Sequence, residues 1–198
     1  MAVELQRSCP VCQATSARPL FHKQGCDFVR CHDCGLTYIN PVPAADALAA
    51  HYARYGREYF TNREKLRQDF APQRYGRELA FLRRAGARGR LVDVGCATGS
   101  FLAAAQGAGF TSTVGVDIAG PSCAYARSLG LDAREGDFTA GFLDEASADT
   151  VAMWATLEHL PDPAAFVAAA GRVLGAGGLL VVSVPNMRSL SQLLLGRR

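Results

Sequence analysis

The amino-acid sequence predicts an α/β fold in which a doubly wound parallel sheet follows a small N-terminal module held by a metal ion. Two observations predict this arrangement. Short apolar segments alternate with helical patterns from about residue 90 onward, as in consecutive βαβ units. Four cysteines also lie in two CxxC pairs near the N-terminus, well before the first of those segments.

Length and composition limit the classes of protein to which the chain can belong. The 198 residues are enough for one core and a small accessory module. A hydrophobic fraction of 49% and a charged fraction of 20% are typical of globular proteins, and the net charge of +3 does not favour a nucleic-acid partner. No apolar run approaches the roughly 18 residues of a membrane span, and no signal-peptide core is present. We therefore expect a cytoplasmic protein without a membrane partner.

The two CxxC pairs, separated by 18 residues, predict a zinc site. Two such pairs supply the four thiolates of a closed tetrahedral shell, which holds structure and leaves no open position for chemistry. A glycine, Gly35, follows the second pair where the backbone must turn tightly, whereas Gln13 follows the first. Disulfides would fit a secreted protein, and His22 or His32 are alternative ligands. The predicted zinc ligands are Cys9, Cys12, Cys31 and Cys34.

A helical connector is predicted after the prolines at 41 and 43. Apolar residues recur there every three or four positions, as on one helix face, and residues 62–85 continue as helix. The recurring residues are Leu48, Tyr52, Tyr55 and Tyr59.

Five strands and three main helices follow the connector. Asp162 is predicted to cap the last helix, with Pro163 at its first position. Glycines 109 and 130 are predicted to end the first two helices. The buried stripe of the last helix is expected to hold Phe166, Ala170, Val173 and Leu174. The predicted strands are 91–94, 113–116, 132–134, 150–154 and 179–184, and the predicted helices are 100–108, 121–129 and 163–174.

The first predicted strand runs into a glycine-rich turn, "VDVGCATGSF". A phosphate-binding P-loop would need a lysine near Gly99, and the spacing of Gly95 and Gly99 does not match the dinucleotide pattern GxGxxG. The pattern instead reads Asp93-x-Gly95-x-Ala97-x-Gly99. It predicts a turn whose backbone a ligand can approach closely.

Further motifs follow in order and give the chain a family resemblance. Asp117 ends the second strand, 18 residues past Gly99, and "AREGDF" follows the third strand. The segments "MWATLEHLPDP" and "RVLGAGGLLVVSVPN" come next. Together these motifs, over about residues 90–186, resemble class I S-adenosylmethionine-dependent methyltransferases with a Rossmann-like sheet. The four-cysteine ribbon and the tyrosine-rich helix resemble a bacterial subgroup of that family.

The resemblance implies S-adenosylmethionine as cofactor and assigns roles to residues. Asp93 would meet the methionyl ammonium group, and Asp117 would accept the ribose hydroxyls, although it could instead cap the next helix. Trp154 would flank the cofactor or fill the core. His159 is the candidate general base, or else a loop histidine held by a hydrogen bond. The remaining implied cofactor contacts are Gly95, Ala97, Gly99, Ile118, Asp137 and Phe138, the last two at the adenine.

Three functions remain open on the sequence. The favoured one is methylation of a small-molecule acceptor. An RNA methyltransferase whose ribbon grips RNA is less favoured, because the ribbon offers few basic residues, namely Arg7, Arg18, Lys23 and Arg30. A non-catalytic module that binds the cofactor or acts as a scaffold is the third. The predicted division is a zinc ribbon at 1–41, a connector and cofactor-site cap at 42–85, and a Rossmann-like methyltransferase domain at 86–198.

The chain is expected to be incomplete relative to that family. Two more strands usually follow the fifth, yet 13 residues lie from Asn186 to Arg198. The strand at 179–184 would then be an apolar edge, across which "SLSQLLLGRR" could fold as a short helix. This predicts self-association through the fifth strand and little methyl transfer.

Overall fold

The computed structural model describes residues 4–23, 25–44, 47, 50–52, 54, 62–141, 143–186 and 189. The N-terminal ribbon is built from five short strands: β1 (Glu4–Leu5), β2 (Ala17–Lys23), β3 (Cys26–Cys31), β4 (Thr37–Ile39) and β5 (Val42–Pro43). Strands β2, β3 and β4 form an antiparallel sheet in that order, and β1 pairs with β5. Its small core consists of Cys9, Val29, Cys31 and Tyr38.

The connector contains two helices where the sequence predicts helix over residues 62–85. Helix α1 (Arg63–Asp69) starts at Asn62, whose Oδ1 accepts the N–H of Glu64 at 3.0 Å. It ends before Pro72, which cannot continue the hydrogen-bond ladder, and α2 (Gly76–Arg84) follows. The residues predicted to continue as helix therefore form two helices with a break between Asp69 and Gly76. Of the expected apolar face, Tyr52 is helical, whereas Leu48, Tyr55 and Tyr59 lie outside the described residues.

The remainder of the chain confirms the predicted α/β fold. The elements in chain order are β6 (Arg90–Val94), α3 (Ser100–Gln106), β7 (Ser112–Asp117), α4 (Gly120–Ser128), β8 (Ala133–Glu135), β9 (Ala148–Trp154), α5 (Pro163–Val173) and β10 (Leu174–Ser183). The five strands are parallel and pair in the order β10-β9-β6-β7-β8, so the chain winds outward from β6 in both directions.

Two hydrophobic clusters cover the two faces of this sheet. Successive side chains of a strand point to opposite faces, so Leu91 lies in one cluster and Val92 in the other. The first cluster includes Phe101 of α3, and the second includes Ala170 of α5. Helices on both faces are what a doubly wound sheet requires.

Several boundaries differ from the sequence predictions. Helix α3 ends at Gln106, before the predicted stop at 108. Leu174 is not part of the last helix, because β10 begins there, and a register shift separates it from Leu179. Asp162 caps α5 as predicted: its Oδ1 accepts the N–H of Ala165 at 3.0 Å. Within α5, Ala170 and Val173 are buried.

Strand β10 lies at one edge of the sheet. Among the described residues it pairs with β9 alone, and Val184 beyond its end is 52% exposed. Residues 190–198, where a short helix was expected, lie outside the described residues, and self-association through this edge stays a prediction. In the part of the chain that the structure describes, no helix has both the length and the apolar character needed to cross a membrane.

Candidate cofactor site and metal centre

The four predicted zinc ligands come together in the ribbon. Their sulfur atoms all lie within 4.8 Å of one another, and the Cys9–Cys34 and Cys12–Cys31 sulfur pairs are each 3.5 Å apart. A tetrahedron with zinc–sulfur bonds of about 2.3 Å has edges of about 3.8 Å. The donor set therefore fits one zinc ion with a closed shell.

Both CxxC turns have the same backbone geometry although their sequences differ. The N–H of Cys9 donates to Ala14 O at 2.8 Å, and that of Cys31 donates to Leu36 O at 2.9 Å, each five residues ahead. Gly35 has a φ of 74°, and Gln13 has 61° at the matching position. The left-handed conformation costs a residue other than glycine about 1–2 kcal/mol, which Gln13 bears.

The four sulfurs differ in how readily they ionise. Against the effect of backbone N–H groups, hydrogen bonds with neighbouring sulfurs and burial raise the pKa values of Cys12 and Cys34. Backbone N–H groups of Cys34 and Asp33 favour the thiolate and lower the pKa of Cys31 to about 7. The alternative ligands do not join the group: His22 lies against Asp27, with 2.7 Å between Nδ1 and Oδ1, and His32 is not among the clustered donors. The cysteines alone form the candidate metal centre.

The candidate cofactor site lies where the parallel strands end, and the glycine turn after β6 forms its floor. The N–H of Gly95 donates to Val116 O at 2.7 Å, which joins the turn to the end of β7. Gly95 and Gly99 have φ values of 79° and 78°. A Cβ on Gly95 would lie 2.7 Å from Thr156 Cγ2, and one on Gly99 would lie 2.6 Å from Leu131 Cδ1.

Those contacts explain why glycine is required at both positions, and the explanation differs from the one that the sequence suggested. We expected a side chain at either position to occupy the space of a ligand. In the structure, protein atoms already occupy that space, so both glycines are needed for the turn to pack against its own neighbours. Any effect of a substitution on ligand binding would therefore come through displacement of the turn.

Asp117 holds this turn from the neighbouring strand. Its Oδ2 accepts the N–H of Ala97 and its Oδ1 accepts the N–H of Ala119, both at 2.8 Å. Burial raises the pKa of Asp117, and these backbone N–H groups partly offset the rise. Asp117 is not the N-cap of α4, since that position belongs to Ala119. Each carboxylate oxygen keeps a lone pair that could accept a ribose hydroxyl.

Asp93 is the most unusual group at the site. Its side chain lies near the end of β6 and is almost fully buried, with 3% of the residue exposed. Burial, followed by the charge of Asp117, raises the pKa of Asp93 to about 8. Among the described residues, no donor is hydrogen-bonded to its carboxylate. A buried carboxylate without a partner is costly, and a bound cation would remove that cost.

The end of β9 supplies the opposite side of the site. Thr156 Oγ1 donates to Val94 O at 3.0 Å and thereby joins β9 to β6. Trp154 packs edge-on against Phe101, with ring centroids 5.4 Å apart, and its buried Nε1 has no hydrogen-bond partner in the described part of the chain. Its ring therefore belongs to the core on this face. The sequence analysis did not assign Thr156 to the site. The signal that could have indicated it was its position just after a predicted strand.

His159 lies in a short 3₁₀ turn, Leu157–His159, beyond the end of β9. It is exposed, with its Nε2 4.0 Å from Glu158 Oε1. Tyr52 of the connector packs edge-on against it, with ring centroids 6.3 Å apart. The charges of Asp117 and Glu158, after burial, raise the pKa of Tyr52. The connector therefore reaches the mouth of the site.

The three other predicted cofactor residues divide between surface and core. Ile118 is 45% exposed, and Asp137 is exposed with its Oδ1 accepting the N–H of Thr139 at 2.8 Å. Phe138 is buried and packs against Phe166 at 6.1 Å between ring centroids. Any contact of Phe138 with an adenine would therefore come from its backbone.

With this geometry established, comparison with known proteins defines the class. Residues 64–197 match the family described as "Methyltransferase domain". The chain belongs to this family, and its fold and motifs are those of class I S-adenosylmethionine-dependent methyltransferases.

Particular relatives agree with that membership. A ubiquinone biosynthesis O-methyltransferase of Paracidovorax citrulli is 34% identical over 113 residues, covering 53% of this chain and 47% of the relative. A ubiquinone biosynthesis O-methyltransferase of Xylella fastidiosa is 36% identical over 115 residues, covering 54% of this chain and 45% of the relative. The chain thus spans about half the length of these curated relatives.

Solved structures show the same fold. A Thermotoga maritima protein, described as a SAM-dependent methyltransferase and possible histamine N-methyltransferase, is 27% identical with a TM-score of 0.55. The match covers 70% of this chain and 62% of that one. A Pyrococcus horikoshii protein, 21% identical over 73% of this chain and 66% of its own, also has a TM-score of 0.55 and shows the fold alone.

Proposed function

We propose that the protein binds S-adenosylmethionine at the carboxyl edge of its sheet and methylates a small-molecule acceptor. The observation that carries the proposal is the buried carboxylate of Asp93 beside the glycine turn, to which no donor among the described residues is hydrogen-bonded. A zwitterionic amino-acid portion supplies the cation that this carboxylate lacks. Asp117, on the next strand, has lone pairs free for two vicinal hydroxyls.

The site fits this cofactor better than a nucleotide with phosphates. A phosphate group would be disfavoured beside Asp93 and Asp117, whose pKa values are already raised, whereas a cationic ligand favours the ionised form of both carboxyl groups. The glycine turn has no lysine to hold a phosphate. Asp93, Asp117 and the backbone from Gly95 to Gly99 would hold the cofactor, with Asp137 and Ile118 as further contacts at the same edge.

When bound, the cofactor supplies a methyl group on a cationic sulfur, which leaves as a neutral thioether. The chain then needs mainly to align the acceptor atom with that methyl group within about 3–3.5 Å. For a hydroxyl acceptor, this chain would also have to supply a group that accepts the hydroxyl proton. His159 Nε2 would take the hydroxyl proton, and the nearby Glu158 carboxylate would stabilise the resulting imidazolium.

An acceptor with a hydroxyl group is our proposal for the finer substrate class. It is supported by the relatives, which are named O-methyltransferases. Tyr52, packed on His159, would form one wall of the acceptor pocket and act as the cap that the connector was expected to provide. Because its pKa is raised, the Tyr52 hydroxyl stays protonated and can donate to the acceptor.

RNA is less favoured as acceptor on the structure as well. Arg7 donates to Pro161 O, and Arg30 Nε donates to Gly35 O at 3.2 Å. These two arginines are therefore held in hydrogen bonds within the protein. The four basic residues of the ribbon are too few to form the continuous basic surface that an RNA partner favours.

The test is calorimetry with S-adenosylmethionine, followed by methyl transfer from labelled cofactor to a metabolite extract and, separately, to total RNA. We expect binding that is lost in Asp93→Ala and transfer to small hydroxylated compounds. Transfer to RNA alone would replace the small-molecule proposal with the RNA alternative. Binding without transfer to either pool would favour a non-catalytic module, and absence of binding would refute the proposal.

A further inference from the structure

Arg7 connects the ribbon to the methyltransferase part of the chain. Its backbone N–H donates to Asn40 Oδ1 at 3.0 Å, and its guanidinium lies over the ring of Tyr38, 5.7 Å from the centroid. The same guanidinium donates from Nη1 to Pro161 O at 2.6 Å, 154 positions further along the chain. The backbone of Arg7 is thus held in the ribbon, while its guanidinium contacts the loop after β9.

The contacted loop is the one that carries the candidate base. Pro161 lies two residues after His159 and directly before Asp162, the N-cap of α5. The carboxylate of Asp162 also acts electrostatically on the Arg7 guanidinium and favours its charged form. The α5 cap fixes one end of the loop and β9 fixes the other. Arg7 provides a third point of attachment in between.

The ribbon end of this connection depends on the cysteine cluster. Tyr38, under the guanidinium, is buried with Cys9 and Cys31, and Arg7 is two residues from Cys9. A core of four buried residues is too small to hold these strands without further support, and metal binding would supply the folding energy. Loss of the metal would therefore free the backbone of Arg7 from its position in the ribbon.

We infer that Arg7 is a positioning residue through which the metal-bound ribbon fixes the loop that carries His159. The site would be fully assembled only when the ribbon holds its metal. The inference depends on the proposed function only for its effect on turnover. The physical coupling can be measured without any acceptor.

The experiment follows hydrogen exchange of peptides covering residues 155–162 and the fluorescence of Trp154, the only tryptophan in the chain, with and without chelator. It compares the full-length wild type with Arg7→Ala and Arg7→Lys. The matched control is Arg18→Ala, which removes an exposed arginine of the same ribbon. Zinc content is measured for each protein.

We expect zinc-loaded Arg7→Ala to keep its metal but to exchange this loop about tenfold faster, as loss of a charged hydrogen bond implies. In Arg7→Lys the exchange rate of the loop should lie between those of wild type and Arg7→Ala, and in Arg18→Ala it should equal that of wild type. Chelation should shift the loop exchange and the Trp154 fluorescence of wild type to the values of Arg7→Ala. In Arg7→Ala, chelation should cause no further change in either quantity. Normal loop exchange in a zinc-loaded Arg7 variant, or an equal response of both proteins to chelator, would overturn the inference. Loss of zinc from Arg7→Lys would also overturn it, since Arg7 would then act on the metal site.

Failure of the proposed function gives a different result. If the coupling is observed but no acceptor is methylated, the inference stands and the catalytic proposal fails. If methyl transfer occurs and Arg7→Ala leaves both the loop and the ratio of kcat to KM unchanged, the reverse holds.

Discussion

The Asp117 carboxylate accepts the backbone N–H of Ala97 at 2.8 Å, so the end of β7 holds the turn that follows β6. Ala97 has a φ of 45°, at the position where the family pattern places its middle glycine. The left-handed backbone costs alanine about 1–2 kcal/mol, and the hydrogen bond to a buried carboxylate offsets this cost. A ribose-binding residue in the proposed site therefore also shapes the cofactor turn.

Replacing Asp117 should weaken cofactor binding. In Asp117→Ala the N–H groups of Ala97 and Ala119 lose their acceptor, and the ribose hydroxyls lose theirs. We expect calorimetric affinity to fall roughly ten- to a hundredfold. The control is Asp132→Ala, which removes an exposed aspartate paired with Arg134 near β8. Unchanged affinity in Asp117→Ala would place the ribose elsewhere.

Asp93 should make stability depend on pH in a direction set by its raised pKa. The folded state holds a proton on Asp93 up to about pH 8, whereas the unfolded chain releases it near pH 4. This group therefore lowers stability progressively as pH rises from about 4 to 8 and has a constant effect above that. Asp93→Asn, neutral throughout, should gain in Tm relative to wild type across this window. Thermal melts at pH 5, 6, 7, 8 and 9 measure the difference, and a gap that does not widen with pH would contradict the assignment.

Cofactor binding should show the opposite trend through the same group. A bound ammonium group favours ionised Asp93, so binding below about pH 8 must release the proton. We expect affinity to rise by up to about tenfold per pH unit between pH 6 and 8. Calorimetry in two buffers of different ionisation enthalpy counts the released protons. Asp93→Asn should bind weakly with little proton release; release that persists in this variant would identify a different titrating group.

The contact between Gly95 and Thr156 predicts a coupled pair. Gly95→Ala should destabilise the fold by about 1–3 kcal/mol, because its methyl group meets the Thr156 side chain and its φ is positive. Gly109→Ala is the matched control, since Gly109 has a φ of 93° and open space around its Cβ position. It measures backbone strain alone. Adding Thr156→Ala should restore part of the loss in Gly95→Ala, and strictly additive urea midpoints would show that no clash exists.

The cysteine cluster predicts about one zinc ion per chain by elemental analysis. Cys31→Ser should lose the metal and the ribbon structure, while the sheet retains its circular-dichroism signal. Cys26→Ser is the control, because Cys26 lies in the same strand but outside the cluster. Metal-free protein purified without chelator, or zinc retained in Cys31→Ser, would refute the metal centre.

The sequence by itself determined the order of elements and the class of fold. Apolar strands and glycine-terminated helices repeat locally, and local periodicity is enough to predict βαβ units and a parallel sheet. The CxxC spacing likewise indicated which four cysteines would cluster, since two residues between cysteines allow both sulfurs to face one site. Element boundaries were misjudged at Pro72 and Leu174, where backbone chemistry and sheet pairing override periodicity.

Tertiary structure alone decided which atoms meet at the site. Local sequence could not show that Thr156, rather than a ligand, occupies the space beside Gly95, because 61 positions separate them and only the strand order joins them. Nor could it show that the Asp93 carboxylate has no hydrogen-bond donor among the described residues, or that Arg7 reaches Pro161. Burial, and with it the electrostatics of a buried carboxylate, arises only when distant segments pack together and exclude water.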